Sequence, residues 1–106
     1  MSDFLQISTT TPNRHDAERI ATELVSRRLA GCVQIGGPIS STYRWQGKVE
    51  TSEEWTCTIK TSRAQLAAIR QLIVDIHPYE TPELIATTIV DGSEKYLSWL
   101  NQQLDS

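Results

Sequence analysis

Residues 39–61 read ISSTYRWQGKVETSEEWTCTIKT, and their pattern decides the fold. Gln46-Gly47 reads as a tight hairpin turn, with glycine supplying a positive φ. From Lys48 to Thr61 the residues alternate for 14 positions, with apolar side chains on the odd face alone, at Val49 and again from Trp55 inward. The odd positions are Val49, Thr51, Glu53, Trp55, Cys57, Ile59 and Thr61; the even ones are polar throughout. Such alternation predicts one long strand, half-buried from Trp55 onward. At about 3.3 Å per residue it spans roughly 46 Å. A compact domain of this size has a radius of gyration near 13 Å and a diameter of only about 33 Å. The hairpin must therefore overhang its own domain, curl or break. A lone two-stranded ribbon is marginal in water, so an overhanging one is expected to pack on a neighbouring subunit, through Tyr43, Arg44 and Trp45 near its tip.

Upstream, FLQIST at 4–9 alternates as a first strand. Asn13, with Asp16 three residues on, is the N-cap of a helix carrying Ala17, Ile20, Ala21, Leu24, Val25 and Leu29 on one side. Gly31 is expected as its left-handed C-terminal residue. CVQI at 32–35 is a strand that GGP at 36–38 bends or bulges before ISSTYRW resumes it. Downstream, Ser62 and Gln65 form a capping-box pattern, opening a helix with Leu66, Ile69, Leu72, Ile73 and Ile76 inward. Pro78 ends it. A strand over 84–89 follows, then an Asp91-Gly92-Ser93 turn. The last helix is expected over 94–104, with Tyr96, Leu97, Leu100 and Leu104 in register.

The first six elements run β-α-β-β-α-β, the split βαβ or ferredoxin-like arrangement of the α+β class, here with an extended hairpin and an extra C-terminal helix. Two helices cover one face of a four-stranded antiparallel sheet. The other face is left open and must be polar or covered from outside. The whole chain, residues 1–106, is expected to be one domain.

Composition narrows the function. Net charge is −3 and pI about 5.3, the wrong sign for phosphate neutralisation, so no nucleic-acid partner is expected. No stretch approaches the roughly 20 apolar residues of a membrane span. MSDFLQISTTTPN lacks the layout of a signal peptide, and the expected location is the cytoplasm. Cys32 and Cys57 have no soft-metal spacing and read as reduced thiols. No catalytic constellation stands out: His15 is solvated in the first turn of a helix, and GGP is too short for a phosphate loop. Asn13 and Arg14 follow the first strand without an anion-binding loop around them. The expectation is a protein that is not an enzyme.

Chemistry concentrates in HPYETPELI at 77–85. His77 can ligate a metal through a neutral ring nitrogen, and Glu80 and Glu83 add oxygen ligands. Pro78 and Pro82 stiffen the segment. It reads either as the wall of a cleft between subunits or as a helix stop, with His77 capping its helix. Lys60, Glu54, Tyr79, Tyr43 and Trp45 are candidates for lining the same cleft; alternatively Lys60 and Glu54 pair across a wet subunit interface. Trp55 and Trp99 read as core or interface anchors.

RLAGCV at 28–33, STYRWQGKVE at 41–50, IKT at 59–61, HPYETPELI at 77–85 and YLSWL at 96–100 together resemble the divalent-cation tolerance (CutA) family over about residues 5–100. The resemblance implies a PII-like homotrimer, a role in tolerance to copper and other divalent metals, and no established reaction. It also implies a departure. Some members use a cysteine at the end of the first strand and paired histidines before Pro-Tyr, where this chain has Thr9 and Ile76, leaving only His77. Without the thiolate, Cu(I) loses its preferred ligand. What remains is a weak site for Cu(II) or another divalent cation, or else a PII-like signalling or scaffold cleft for a metabolite or a protein.

Overall fold

In the computed structural model, which describes residues 4–105, the chain forms β1 (Phe4–Thr11), α1 (Arg14–Ser26), β2 (Cys32–Trp45), β3 (Lys48–Ser62), α2 (Leu66–Ile76), β4 (Ile85–Thr88) and α3 (Glu94–Gln103). The reading of the first three residues as free of a leader lies outside the described residues. The strands form one antiparallel sheet in the order β2-β3-β1-β4. This is the expected split βαβ order.

The sheet's face is set by its register. Leu5, Ile7 and Thr9 on β1 stand opposite Thr61, Ile59 and Cys57 on β3. Cross-strand partners point the same way, so these residues share one face. There they meet Ala17, Ile20 and Leu24 of α1 and Ile69, Leu72 and Ile73 of α2 in a single buried cluster. Asn13 caps α1 as expected, its Oδ1 accepting the Asp16 N–H at 2.8 Å.

Two local expectations are corrected. The left-handed residue after α1 is Arg28 (φ +61°), not Gly31. The Leu29 N–H closes the end of the helix on the Leu24 carbonyl at 2.9 Å. Glycine at 31 instead makes room, because a Cβ there would collide with Leu100 of α3. Ser62 makes no side-chain cap; a 3-10 turn, Arg63–Gln65, precedes α2. The Gln65 side chain donates to the Asp105 carbonyl at 2.6 Å instead of closing a capping box.

The second face is only partly open. Cys32 lies opposite Lys60, on the face away from the core cluster. The Tyr96 hydroxyl of α3 lies beside the Cys32 thiol, and burial, then that contact, push its pKa up. Phe4, Leu100 and Leu104 are buried outside the main cluster. α3 thus shields one end of this face, with Ser93 as its N-cap, and the remaining floor is polar.

The overhang is real. β2 and β3 run paired from Cys32↔Lys60 to Trp45↔Lys48, whereas the last β1–β3 pair is Thr11↔Trp55. Beyond that pair the ribbon leaves the sheet, and the chain measures 44 × 25 × 21 Å. Both turn residues, Gln46 (φ +49°) and Gly47 (φ +80°), take positive φ, as the mirror-image turn of a two-residue hairpin requires.

The predicted kink is a bulge between Gly36 and Ile39, with Gly37 and Pro38 set against Trp55. Gly37 has φ +150°, and a Cβ there would lie 2.8 Å from Trp55 Cδ1. Gly37→Ala is therefore expected to cost about 1–3 kcal/mol, through backbone strain and displacement of the indole. Chemical denaturation of the two proteins at equal concentration checks it; equal midpoints would mean that the bulge is not under this constraint.

Candidate functional site

α2 ends where His77 turns to extended backbone, its N–H closing the helix on the Ile73 carbonyl at 2.9 Å. Its ring points away from that helix and is buried at 8% exposure. Nε2 lies 2.7 Å from the Thr10 carbonyl oxygen, and Nδ1 lies 3.0 Å from the Tyr79 backbone nitrogen. A carbonyl can only accept and a backbone N–H can only donate, so Nε2 carries the proton and Nδ1 accepts. Both ring nitrogens are committed. As folded, His77 offers no lone pair to a metal, and its side chain does not cap the carbonyls of its own helix.

Two residues on, Tyr79 packs on the His77 ring, with centroids 5.0 Å apart. Its hydroxyl donates to the Glu54 carboxylate at 2.9 Å. Burial, then the bond to Glu54 and that residue's charge, push the Tyr79 pKa up to about 12. Glu54 is itself buried, at 8% exposure. A buried carboxylate with one neutral donor keeps accepting capacity for a further donor or a cation.

The other sequence-derived candidates separate. Glu83 is exposed and takes a bond from the Ser8 hydroxyl at 3.4 Å, and Glu80 is exposed. Lys60 donates to Gln34 at 3.0 Å. Six residues from Glu54 along the same strand, it lies roughly 20 Å away, so the two can pair only between chains. Tyr43 and Trp45 are exposed on the ribbon, where the Tyr43 hydroxyl bonds Ser52 at 3.1 Å. Arg44 reaches the Gly47 carbonyl at 3.4 Å, and Trp99 stacks beside Tyr96 on α3, largely exposed. Trp55 is partly buried against the core cluster.

The fold thus brings together His77, Tyr79 and Glu54, with the Thr10 carbonyl. It does not bring His77, Glu80 and Glu83 into one ligand set. Among the described residues no group of three or more His, Cys, Asp or Glu converges on a common point. The donors do not fit a histidine-centred metal site built by one chain. Glu54 is among the sequence candidates for the cleft, although its partner Tyr79 lies 25 residues away; the contribution of the Thr10 carbonyl, 67 residues from His77, carries no signal in the sequence.

Thr9 stands among the apolar core residues, fully buried, and its Oγ1 has no hydrogen-bond partner. Burying an unpaired hydroxyl costs about 1–3 kcal/mol. Thr9→Val removes the hydroxyl at nearly constant shape and is expected to raise stability by about 1 kcal/mol. A lower thermal midpoint in the variant would show that the hydroxyl has a partner in solution. Cys57 opposite it is a free buried thiol, with its pKa pushed by burial up to about 11.

A family model described as CutA1 divalent ion tolerance protein matches residues 5–103. The Divalent-cation tolerance protein CutA of Thermus thermophilus is 38% identical over 93 residues, covering 88% of this chain and 90% of that protein. The chloroplastic Protein CutA of Arabidopsis thaliana is 41% identical over 91 residues, 86% of this chain. The chain spans about half the length of that plant protein (50%) and of the mouse Protein CutA (55%). In three dimensions, CutA1 from the psychrotrophic bacterium Shewanella sp. SIB1 superposes with a TM-score of 0.95 at 43% identity, covering 99% of this chain and 98% of that one. With the sheet order, the overhanging ribbon and a match over nearly its whole length, the chain belongs to the CutA1 divalent ion tolerance family.

Proposed function

We propose that the chain works in the cytoplasm as a homotrimer in divalent-cation tolerance, copper included, and holds a cation or small ligand in clefts between its subunits. The observation that carries this is the overhang. From Lys48 to Glu54, β3 has no strand beside it on the β1 side. The ribbon leaves Ile39, Tyr43, Trp45 and Val49 exposed. A neighbouring copy supplies the missing contacts, and a head-to-tail arm closes a ring when its rotation is threefold. Tyr43, Arg44 and Trp45 of the arm and Trp99 of α3 form the contact in this assignment. Glu54, with its spare accepting capacity, faces the cleft beside Tyr79, and Lys60 of the next subunit is a candidate partner for it. Glu80 and Glu83 are the exposed oxygen donors nearest in sequence, and an oxygen set suits a divalent ion better than Cu(I). The reading is of a binding protein rather than an enzyme. No helix among the described residues is long and apolar enough to cross a membrane.

A second reading has its own support. The committed ring nitrogens of His77 favour a PII-like signalling or scaffold trimer that binds a metabolite or partner protein and no physiological metal.

Calorimetric titration of Cu(II) and Zn(II) into the wild type and the Glu80→Gln/Glu83→Gln double variant separates the two. Weak saturable binding that drops at least about tenfold in the variant supports the metal reading, since two ligands are lost. Equal affinity in both proteins, with a thermal shift from a nucleotide or metabolite panel, supports the second.

A further inference from the structure

We propose that Tyr79 is a positioning residue that fastens the HPYET segment to the root of the arm, so that the site segment and the arm's direction are coupled. This rests on the arm being the element that engages a neighbouring copy. β1 supports β3 only as far as Thr11↔Trp55, so Glu54 is the first β3 residue beyond that support. It is also the residue paired with Ile39, directly past the Gly37-Pro38 bulge where β2 bends. Here the Tyr79 hydroxyl donates to its carboxylate at 2.9 Å.

The other end of the link is fixed as well. His77 holds the Thr10 carbonyl through Nε2 and the Tyr79 N–H through Nδ1. A continuous path therefore runs from the end of β1, through the imidazole and the phenol, to the start of the unsupported ribbon. The Tyr79 side chain thus reaches β3 at the first residue that β1 leaves unpaired. A bulge bends its strand and sharpens the local twist, and the Tyr79–Glu54 bond holds the ribbon in the direction it takes beyond that bend. A ligand or neighbouring chain that competes for Glu54 would release the arm, and docking of the arm would in turn order the segment.

Hydrogen–deuterium exchange on the full chain, read by peptide, tests the coupling with Tyr79→Phe, Glu54→Ala and both together. Each single change is expected to speed exchange over residues 39–53 about tenfold, the worth of one charge-assisted bond, and to leave α1 and α2 unchanged. The double variant is expected to show the same tenfold rather than a hundredfold effect, because the two residues share one interaction. Glu54→Gln, which still accepts from the phenol but without the charge, should speed arm exchange clearly less than Glu54→Ala. Unaltered arm exchange in Tyr79→Phe, equal acceleration of helices and arm, or multiplying effects in the double variant would each overturn the proposal. Light scattering on the wild type reports on assembly separately, so a monomer would remove the docking role of the arm without deciding the link.

Discussion

Cutting the arm back to the Ser40–Glu53 pair, with Asn-Gly replacing residues 41–52, is expected to give a folded protein that no longer assembles. Ser40 and Glu53 are directly paired, so a two-residue turn fits between them as it now does between Trp45 and Lys48. The segment removed contributes nothing to the buried cluster, whose members lie outside it. Tyr43, Trp45 and Val49 are all exposed in the single chain. Burying side chains of this size on a neighbour is worth roughly 1.5–3 kcal/mol each. Losing two or three of them weakens association by at least about a hundredfold, since 1.4 kcal/mol is a factor of ten. Circular dichroism should keep its helical signal while the mass falls to that of one chain. A shortened protein that still sediments with the full-length species would mean that assembly, if any, uses another surface.

His77→Ala is expected to have the largest effect of any single substitution in the site segment, and the effect should be on stability. The change leaves the buried Thr10 carbonyl and the Tyr79 N–H without their partners and opens a void where the ring stood. Two lost bonds and a cavity together cost about 2–4 kcal/mol. For a chain of this length that lowers the thermal midpoint by roughly 10–20 °C, compared at one protein concentration. The affinity for Cu(II), measured well below that midpoint, should change less than threefold, because the ring nitrogens are already committed. A variant as stable as wild type that has lost Cu(II) would instead make His77 a ligand.

The long alternation of β3 is legible because its even face is polar throughout and every apolar residue falls on the odd face, and a strand that long has few ways to fit a small sheet. The Asn13 cap was legible because its partner, Asp16, is three residues away. The misreadings share one cause, which is a distant partner. Local spacing puts Gly31 at a helix end, yet its small size answers to Leu100. Local spacing puts Gln65 in a capping box, yet it answers to Asp105. The second face was expected to be left open, yet α3 shields one end of it through Tyr96 and Leu100. In the site, the sequence points to His77 as a ligand beside Glu80 and Glu83 and to Tyr79 as lining the cleft, whereas the fold puts His77 and Tyr79 in contact with each other. What they hold, the Thr10 carbonyl and the Glu54 carboxylate, depends on β1 and β3 ending at different heights. No local pattern encodes that offset; it emerges only once the strands are in register.

The most direct measurement is the mass of the wild-type chain in solution, by multi-angle light scattering at micromolar concentration. The overhanging arm predicts a single species of three times 11.9 kDa. A particle of 11.9 kDa that persists as the concentration rises would contradict it.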